Sequence, residues 1–450
     1  MDLHFWLVSV YSFCLPCCSG NPMNATLRPA QKIIGTIQVP GDKSISHRLA
    51  ILAAIAEGRT SIENFASSQD CHSTLFCLQL LGVPIETSGE GHVVLFGRGL
   101  HGLARPRQVL DAGNSGSTIR MLSGILAGQS FQTQITGDAS LRCRPMGRII
   151  TPLSQMGATI QAREGNYPPL SINGGRLKAI RYLVPMASAQ VKSAILLAGL
   201  LAEGETEVTE PAPTRNHTEV ALKQFGAEVN VQGNRISLRG GQRLHAVKVR
   251  VPGDISSAAF FLVAAILLPE SEIILTDVGM NPGRSAIVNL LQGMGASIEV
   301  LNQQTQAGEP IADLRIKASS LKGGTISGDG IPRVIDEIPI LAVLATQTEE
   351  GMEIRNAAEL RVKESDRIKS IVENLRSMGA SVEEFADGMF VPGRQSLHGA
   401  TIHSYDDHRI AMAFAVAGLI AKGETLIEGS ECTAVSFPGF FEALDRVAVR

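Results

Sequence analysis

LLGVPI (80–85), QMGATI (155–160), QFGAEV (224–229), GMGASI (293–298) and SMGASV (377–382) are copies of one pattern: an apolar residue, a glycine, then residues that alternate in polarity. They recur about 70 to 85 residues apart, a period that marks a repeated unit before any local motif is read. Gly82, Gly157, Gly226, Gly295 and Gly379 suit the position just past a helix end, where the backbone turns to positive φ, and the alternation that follows suits a strand.

Working outward, the rest of each unit begins with a small polar cluster and runs into an Ala/Leu/Ile-rich segment of roughly 12 residues, the length of a buried helix. These segments start near Ser44, Gly116, Gln190, Ser256, Ile338 and His408, so six α/β units account for nearly the whole chain. Ala258 to Ala265, with Phe260 and Phe261, is apolar on almost every face and belongs inside a core. Ser, Asp, Asn and Gly at the starts either cap a helix or let backbone N–H groups face a ligand. The six N-termini are therefore expected to converge on one cleft, each adding a positive dipole end to an anion site.

Composition narrows the alternatives. Of 450 residues, 44% are hydrophobic and 18% charged, enough for a large core. No run of about 18 apolar residues suggests a membrane span. A net charge of −3 and 4% aromatics offer nucleic acid neither a basic surface nor stacking platforms, so any anion site must be built locally. Cys14, Cys17 and Cys18 crowd the first twenty residues while Cys71, Cys77, Cys143 and Cys432 are scattered; the expectation is free thiols in a reducing compartment. Residues 1–23 read as an extension without the basic start of a signal peptide, with Met23 as the alternative start.

The helix starts spell GDKSISHR (41–48), AGNSGSTIR (112–120), MASAQVKS (186–193), GDISSA (253–258), IDEIPI (335–340) and DDHRIAM (406–412), and LRCRPMGR (141–148) and RVKESDR (361–367) add basic clusters. Singly, each reads as a cap, a turn or a solvated charge. Together, at compatible spacings from about Ile37 to Phe440, they resemble the 5-enolpyruvylshikimate-3-phosphate synthase family, and MASAQVKSA is similar to its second bacterial class.

That resemblance implies a two-domain inside-out α/β barrel of six βαβαββ repeats. Residues 24–41 plus 253–450 would form a discontinuous upper domain and 42–252 a lower one, with crossovers at Gly41 and Gly253. It implies transfer of the enolpyruvyl group of phosphoenolpyruvate to the 5-hydroxyl of shikimate 3-phosphate, without metal or organic cofactor. By matching motif positions, Lys43, Gly116, Arg144, Gln190, Arg367 and Arg409 would contact phosphoenolpyruvate. Lys43, Ser44, Arg48, Ser188, Ala189, Gln190, Asp336 and Lys363 would hold shikimate 3-phosphate. Asp336 would be the general base, and Glu364 would protonate the methylene carbon. An N-terminus neither Arg-rich nor Ser-rich points to the cytoplasm, composition gives no nucleic-acid or membrane partner, and a monomer is expected; the resemblance further implies sensitivity to glyphosate, since alanine in place of Gly116 accompanies tolerance in the family.

Two positions depart from the family pattern. TAVSFP (433–438) carries Val435 where the first class has lysine, and Glu359 stands where an asparagine often meets the shikimate phosphate. The sister family that acts on a UDP-sugar places a reactive cysteine five residues before its Arg-Pro pair, but that position here is Ala139, and Cys143 reads as a loop cysteine. A non-catalytic anion-binding scaffold would need the cations but neither Asp336 nor Glu364. No GxxxxGK[ST] loop occurs, and the histidines lack metal-ligand spacing; His47 and His408 read as hydrogen-bonding residues at helix starts.

Overall fold

In the computed structural model, which describes residues 23–89 and 91–450, the six inner helices are Lys43–Ile55, Gly116–Ala127, Ala189–Gly199, Ile255–Leu267, Ile338–Ala345 and His408–Ile420. Each begins within one residue of its expected start. The expected extension at residues 1–23 lies, except for Met23, outside the described residues. Gly82, Gly157, Gly226, Gly295 and Gly379 all take positive φ at the ends of outer helices, as a position past a helix C-cap requires.

The second unit shows the repeat in full. Strand Leu110–Asp111 leads into the inner helix Gly116–Ala127, then strand Gln132–Thr136, the outer helix Gly147–Gln155, and strands Thr159–Arg163 and Tyr167–Asn173. Its sheet pairs the first two strands in parallel and adds the last two antiparallel. The same order of pairing recurs in the other units, the sixth sheet being a three-stranded version.

Two strands are exchanged over long sequence distances. Lys248–Arg250 pairs with Glu57–Glu63 and closes the first unit; Lys32–Gln38 pairs with Glu272–Gly279 and opens the fourth. Asn24–Leu27 joins the sixth sheet through Thr425–Glu428. As a result there are two separate hydrophobic cores, one drawn from residues 27–39 and 255–447, the other from 45–251.

Helices lie inside and sheets outside, because the inner helices have no polar face to give to water. Every residue from Ile255 to Ile266 is buried, whereas strand Gln132–Thr136 alternates between exposed and buried positions. Phe260 and Phe261 pack on Phe440 with ring centroids 5.7 Å apart, anchoring the C-terminal helix Phe440–Val447 to this core.

The chain passes between the two cores twice, at adjacent backbones. Gly41 and Gly253 form an antiparallel bridge, Asp42 donates to the Pro252 carbonyl at 2.7 Å, and Asp254 donates to Pro40 at 2.9 Å. A β-carbon on Gly41 would collide with the Asn64 carbonyl, so the close passage of the chains requires glycine there.

Candidate functional site

All six inner-helix starts line one cavity between the two cores: Lys43 and Ser44, Gly116 and Ser117, Ser188 to Gln190, Asp254, Asp336 and Glu337, and His408 and Arg409. Capping fixes most of these ends. Asp42, Ser115, Ser188, Asp254 and Asp407 each accept a hydrogen bond from a first-turn N–H of their own helix.

The cavity is organised around two carboxylates. Asp336 Oδ2 lies 3.1 Å from Arg215 Nη2 and 3.5 Å from Arg284 Nη1, while its Oδ1 lies 3.4 Å from Lys363 Nζ and 3.7 Å from Arg367 Nη1. Glu364 meets Arg367 at 2.7 Å and Arg144 at 3.4 Å. Burial pushes both carboxyl groups up, but the surrounding cations outweigh it. Lys363, Arg409, Arg215 and Arg284 hold Asp336 well below the usual carboxylate range. Arg367 and Arg144, chief among its neighbours, do the same for Glu364.

Supporting residues fix the cations in turn. Arg367 is 1% exposed and is held by Asp407 through Nε at 2.7 Å and Nη2 at 3.1 Å. Arg144 Nη2 donates to Asn114 Oδ1 at 2.6 Å. Arg409 Nη1 donates to the Asp336 carbonyl at 2.6 Å. Lys43 pairs with Asp70 at 2.9 Å; desolvation would lower the amine, but Asp70 and Glu364 raise it above its ordinary value. Gln190 accepts from Arg120 Nη1 at 2.7 Å and donates to Ser117 Oγ at 2.9 Å.

The structure brings together Lys43, Ser44, Gly116, Arg144, Ser188, Ala189, Gln190, Asp336, Lys363, Glu364, Arg367 and Arg409 on this wall. It does not bring Arg48 there. That side chain is buried behind the wall, where it donates to the Ser44 carbonyl at 2.8 Å, Thr218 Oγ1 at 2.6 Å and Ser193 Oγ at 2.8 Å. The reason lies in its partners and not in its helix position: Arg48 stands one turn beyond Ser44 on the same face, but its guanidinium is held by Ser44, Thr218 and Ser193. His47 does bond Thr74 Oγ1 at 2.7 Å, but neither ring nitrogen of buried His408 has a hydrogen-bond partner among the described residues. Glu359, set aside as a departure, lines the cavity and pairs with Arg148 at 3.2 Å. Cys143 is exposed and is not among the lining residues.

Sequence reasoning missed Arg215 and Arg284. Both stand two residues before an outer helix, His217–Gln224 and Ala286–Gly293 respectively. Arg144 stands three residues before the outer helix of its unit, Gly147–Gln155, and Glu364 three before Arg367–Ser377. Aligning the units on their outer helices would have pointed to this second ring of side chains. Among the described residues, no group of three His, Cys, Asp or Glu side chains is placed to hold a metal ion, and no helix is long and apolar enough to cross a membrane.

Comparison with known proteins agrees over nearly the full chain. The family model described as EPSP synthase (3-phosphoshikimate 1-carboxyvinyltransferase) matches residues 27–444. A 3-phosphoshikimate 1-carboxyvinyltransferase of Solibacter usitatus is 54% identical, covering 95% of this chain and 100% of the relative. One from Desulforamulus reducens is 51% identical at the same coverage. The solved EPSP synthase of Acinetobacter baumannii superposes with a TM-score of 0.84 at 46% identity, over 95% of this chain and 98% of that one.

Proposed function

The chain belongs to the EPSP synthase (3-phosphoshikimate 1-carboxyvinyltransferase) family, and from that premise we propose how its cleft moves the enolpyruvyl group of phosphoenolpyruvate to the 5-hydroxyl of shikimate 3-phosphate, releasing phosphate, in aromatic amino-acid biosynthesis. The observation that carries the reading is a pair of carboxylates, Asp336 and Glu364, held in one cleft by cations that substrate anions can take over.

Location separates the two roles. Asp336 lies beside Lys363 and beside Arg215, whose other nitrogen donates to Ser44 Oγ at 2.9 Å; this end receives shikimate 3-phosphate, with Ser188, Ala189 and Gln190. Arg48, which donates to the Ser44 carbonyl at 2.8 Å, is proposed to serve the same substrate. Glu364 lies between Arg144 and Arg367, and this end receives phosphoenolpyruvate, with Lys43, Gly116, Gln190 and Arg409. Planar guanidinium groups suit carboxylate and phosphate through paired N–H donors.

In the addition step, protonated Glu364 gives its proton to the methylene carbon while the 5-hydroxyl oxygen bonds to the adjacent carbon and Asp336 takes the hydroxyl proton. In elimination a methyl proton returns to a carboxylate, the double bond re-forms, and the phosphate leaves with the electron pair of the broken C–O bond. Only protons and fixed cations are used, so the reaction is proposed to need neither metal nor organic cofactor.

Glu364 must hold a proton that the ligand-free cleft denies it. The substrates supply the remedy: their phosphates and carboxylates neutralise Arg367, Arg144, Lys363 and Arg215 in place, burial then dominates, and the proton affinity of both groups rises. Residues 24–41 plus 253–450 and residues 42–252 are proposed as two domains that close over the substrates about Gly41 and Gly253. The chain is proposed to act as a cytoplasmic monomer without nucleic-acid or membrane partners; a dimer in light scattering would contradict the first of these.

Running the reaction in D2O tests the protonation step. Solvent deuterium should enter the vinyl methylene of the product, and Glu364→Gln should block that entry while shikimate 3-phosphate still binds. Deuterium entry at the wild-type rate in Glu364→Gln would remove Glu364 from the role.

A further inference from the structure

The cations of the cavity differ in how fully the protein compensates them. Arg284 and Arg367 lie against carboxylates, Asp254 at 3.2 Å and Asp407 at 2.7 Å. Although burial lowers both guanidinium groups, these partners raise them above the ordinary arginine value. Arg120 is the opposite case. Burial and then the like charges of Arg148 and Arg144 pull it down to about 10. Arginine stays protonated at such a value, and Glu364 and Glu359 offset only part of the effect of burial and like charge.

The hydrogen bonds of Arg120 agree. Nη1 donates to Gln190 Oε1 at 2.7 Å and Nη2 to the Pro145 carbonyl at 3.5 Å, both neutral acceptors. Its Nε is shut off from solvent with no hydrogen-bond partner among the described residues. Among the described residues no carboxylate lies within 4.0 Å of its guanidinium. Yet Arg120 lines the cavity, one helical turn beyond Gly116 and therefore on the same helix face. A β-carbon added at Gly116 would stand 2.7 Å from Arg120 Nη1 and 3.6 Å from Arg144 Nη1. The space over Gly116 is thus already filled by an arginine nitrogen.

We infer that Arg120 is a further binding cation of the phosphoenolpyruvate end, pairing with an anionic oxygen of that substrate, and that Gly116 lacks a side chain in order to seat the Arg120 guanidinium as well as the ligand. The inference rests on the functional reading above and adds a residue to it. It makes one non-trivial demand: enlarging Gly116 and removing the Arg120 charge must act through the same contact, so their effects cannot add.

The test is a double-mutant cycle on the full chain, with Arg120→Gln, Gly116→Ala and the pair, reading KM for each substrate with the other saturating. Loss of one charge-assisted pair predicts that Arg120→Gln raises KM for phosphoenolpyruvate about 10- to 100-fold and leaves that for shikimate 3-phosphate within about twofold. Arg120→Lys should recover part of the loss. Gly116→Ala should raise KM for phosphoenolpyruvate in the wild-type background and by a clearly smaller factor beside Arg120→Gln, where only its contact with the ligand remains. An unchanged KM for phosphoenolpyruvate in Arg120→Gln and Arg120→Lys, or an equal Gly116→Ala effect in both backgrounds, would overturn the inference while wild-type turnover left the functional reading intact. Absence of turnover in the wild type would instead refute that reading. Calorimetric titration of phosphoenolpyruvate into wild type and Arg120→Gln would still decide the inference, with weaker binding by the variant supporting it and equal binding refuting it.

Discussion

Asp336→Asn should abolish turnover and at the same time strengthen the grip on shikimate 3-phosphate. The substitution keeps the shape and one hydrogen-bond acceptor but removes the charge that four cations share at 3.1 to 3.7 Å. At an effective dielectric near 20, each such pair is worth about 4–5 kcal/mol before desolvation and mutual repulsion are subtracted. Removing one member of a buried charge cluster leaves a net cost of about 3–5 kcal/mol. Ligand-free Asp336→Asn should therefore melt several degrees below wild type. The uncompensated Arg215, Arg284, Lys363 and Arg367 then form a stronger anion receptor, so shikimate 3-phosphate should bind about tenfold more tightly, or about 1.4 kcal/mol, and recover most of the lost melting temperature. Turnover should fall at least about 100-fold with the loss of the base. Calorimetry and thermal melts with and without ligand read all of this. Weaker binding of shikimate 3-phosphate by Asp336→Asn would refute the idea that carboxylates and substrates compete for the same cations.

The same competition makes binding proton-linked. Both carboxylates start below their ordinary range and rise when ligand anions recruit their cations, so the bound state holds more protons between the free and bound values, and affinity increases as pH falls through that window. Calorimetry near pH 6 in buffers of different ionisation enthalpy should register proton uptake on forming the ternary complex with glyphosate; net release would contradict it. Gly116→Ala should raise the inhibition constant of glyphosate at least about tenfold, because the added methyl must displace the Arg120 guanidinium 2.7 Å away; an unchanged constant together with an unchanged KM for phosphoenolpyruvate would refute this. Arg215–Asp336 and Arg144–Glu364 already bridge the two halves, so ligand-free protein that also samples wider forms about Gly41 and Gly253 should lose radius of gyration in small-angle scattering on adding shikimate 3-phosphate with glyphosate; identical curves would count against such opening.

Much of the fold was legible because its units differ in periodicity. Inner helices such as Ile255–Leu267 and Ile338–Ala345 are apolar nearly all round and announce a core, while Gly82 or Gly379, turning to positive φ past an outer helix, marks where each helix stops. The exchange of strands Lys248–Arg250 and Lys32–Gln38 left no local trace, since their partners lie some 190 and 240 residues away. Within the site, residues at helix starts were found through their caps and motifs. Arg48 was placed with Ser44 by its motif and does lie one turn along the same helix face, but the hydrogen bonds that hold its guanidinium, to Thr218 and Ser193, come from residues distant in sequence. Arg215 and Arg284 escaped notice because they stand in loops outside the motifs, where only their shared place two residues before an outer helix marks them.

The most direct test of the account is phosphate release by the purified chain with both substrates, in the presence of a chelator. The account predicts release that requires phosphoenolpyruvate and shikimate 3-phosphate together, is indifferent to the chelator, and is lost in Asp336→Asn and Glu364→Gln. No release from a folded wild type that still binds shikimate 3-phosphate would contradict it, leaving the cleft as an anion receptor without the chemistry.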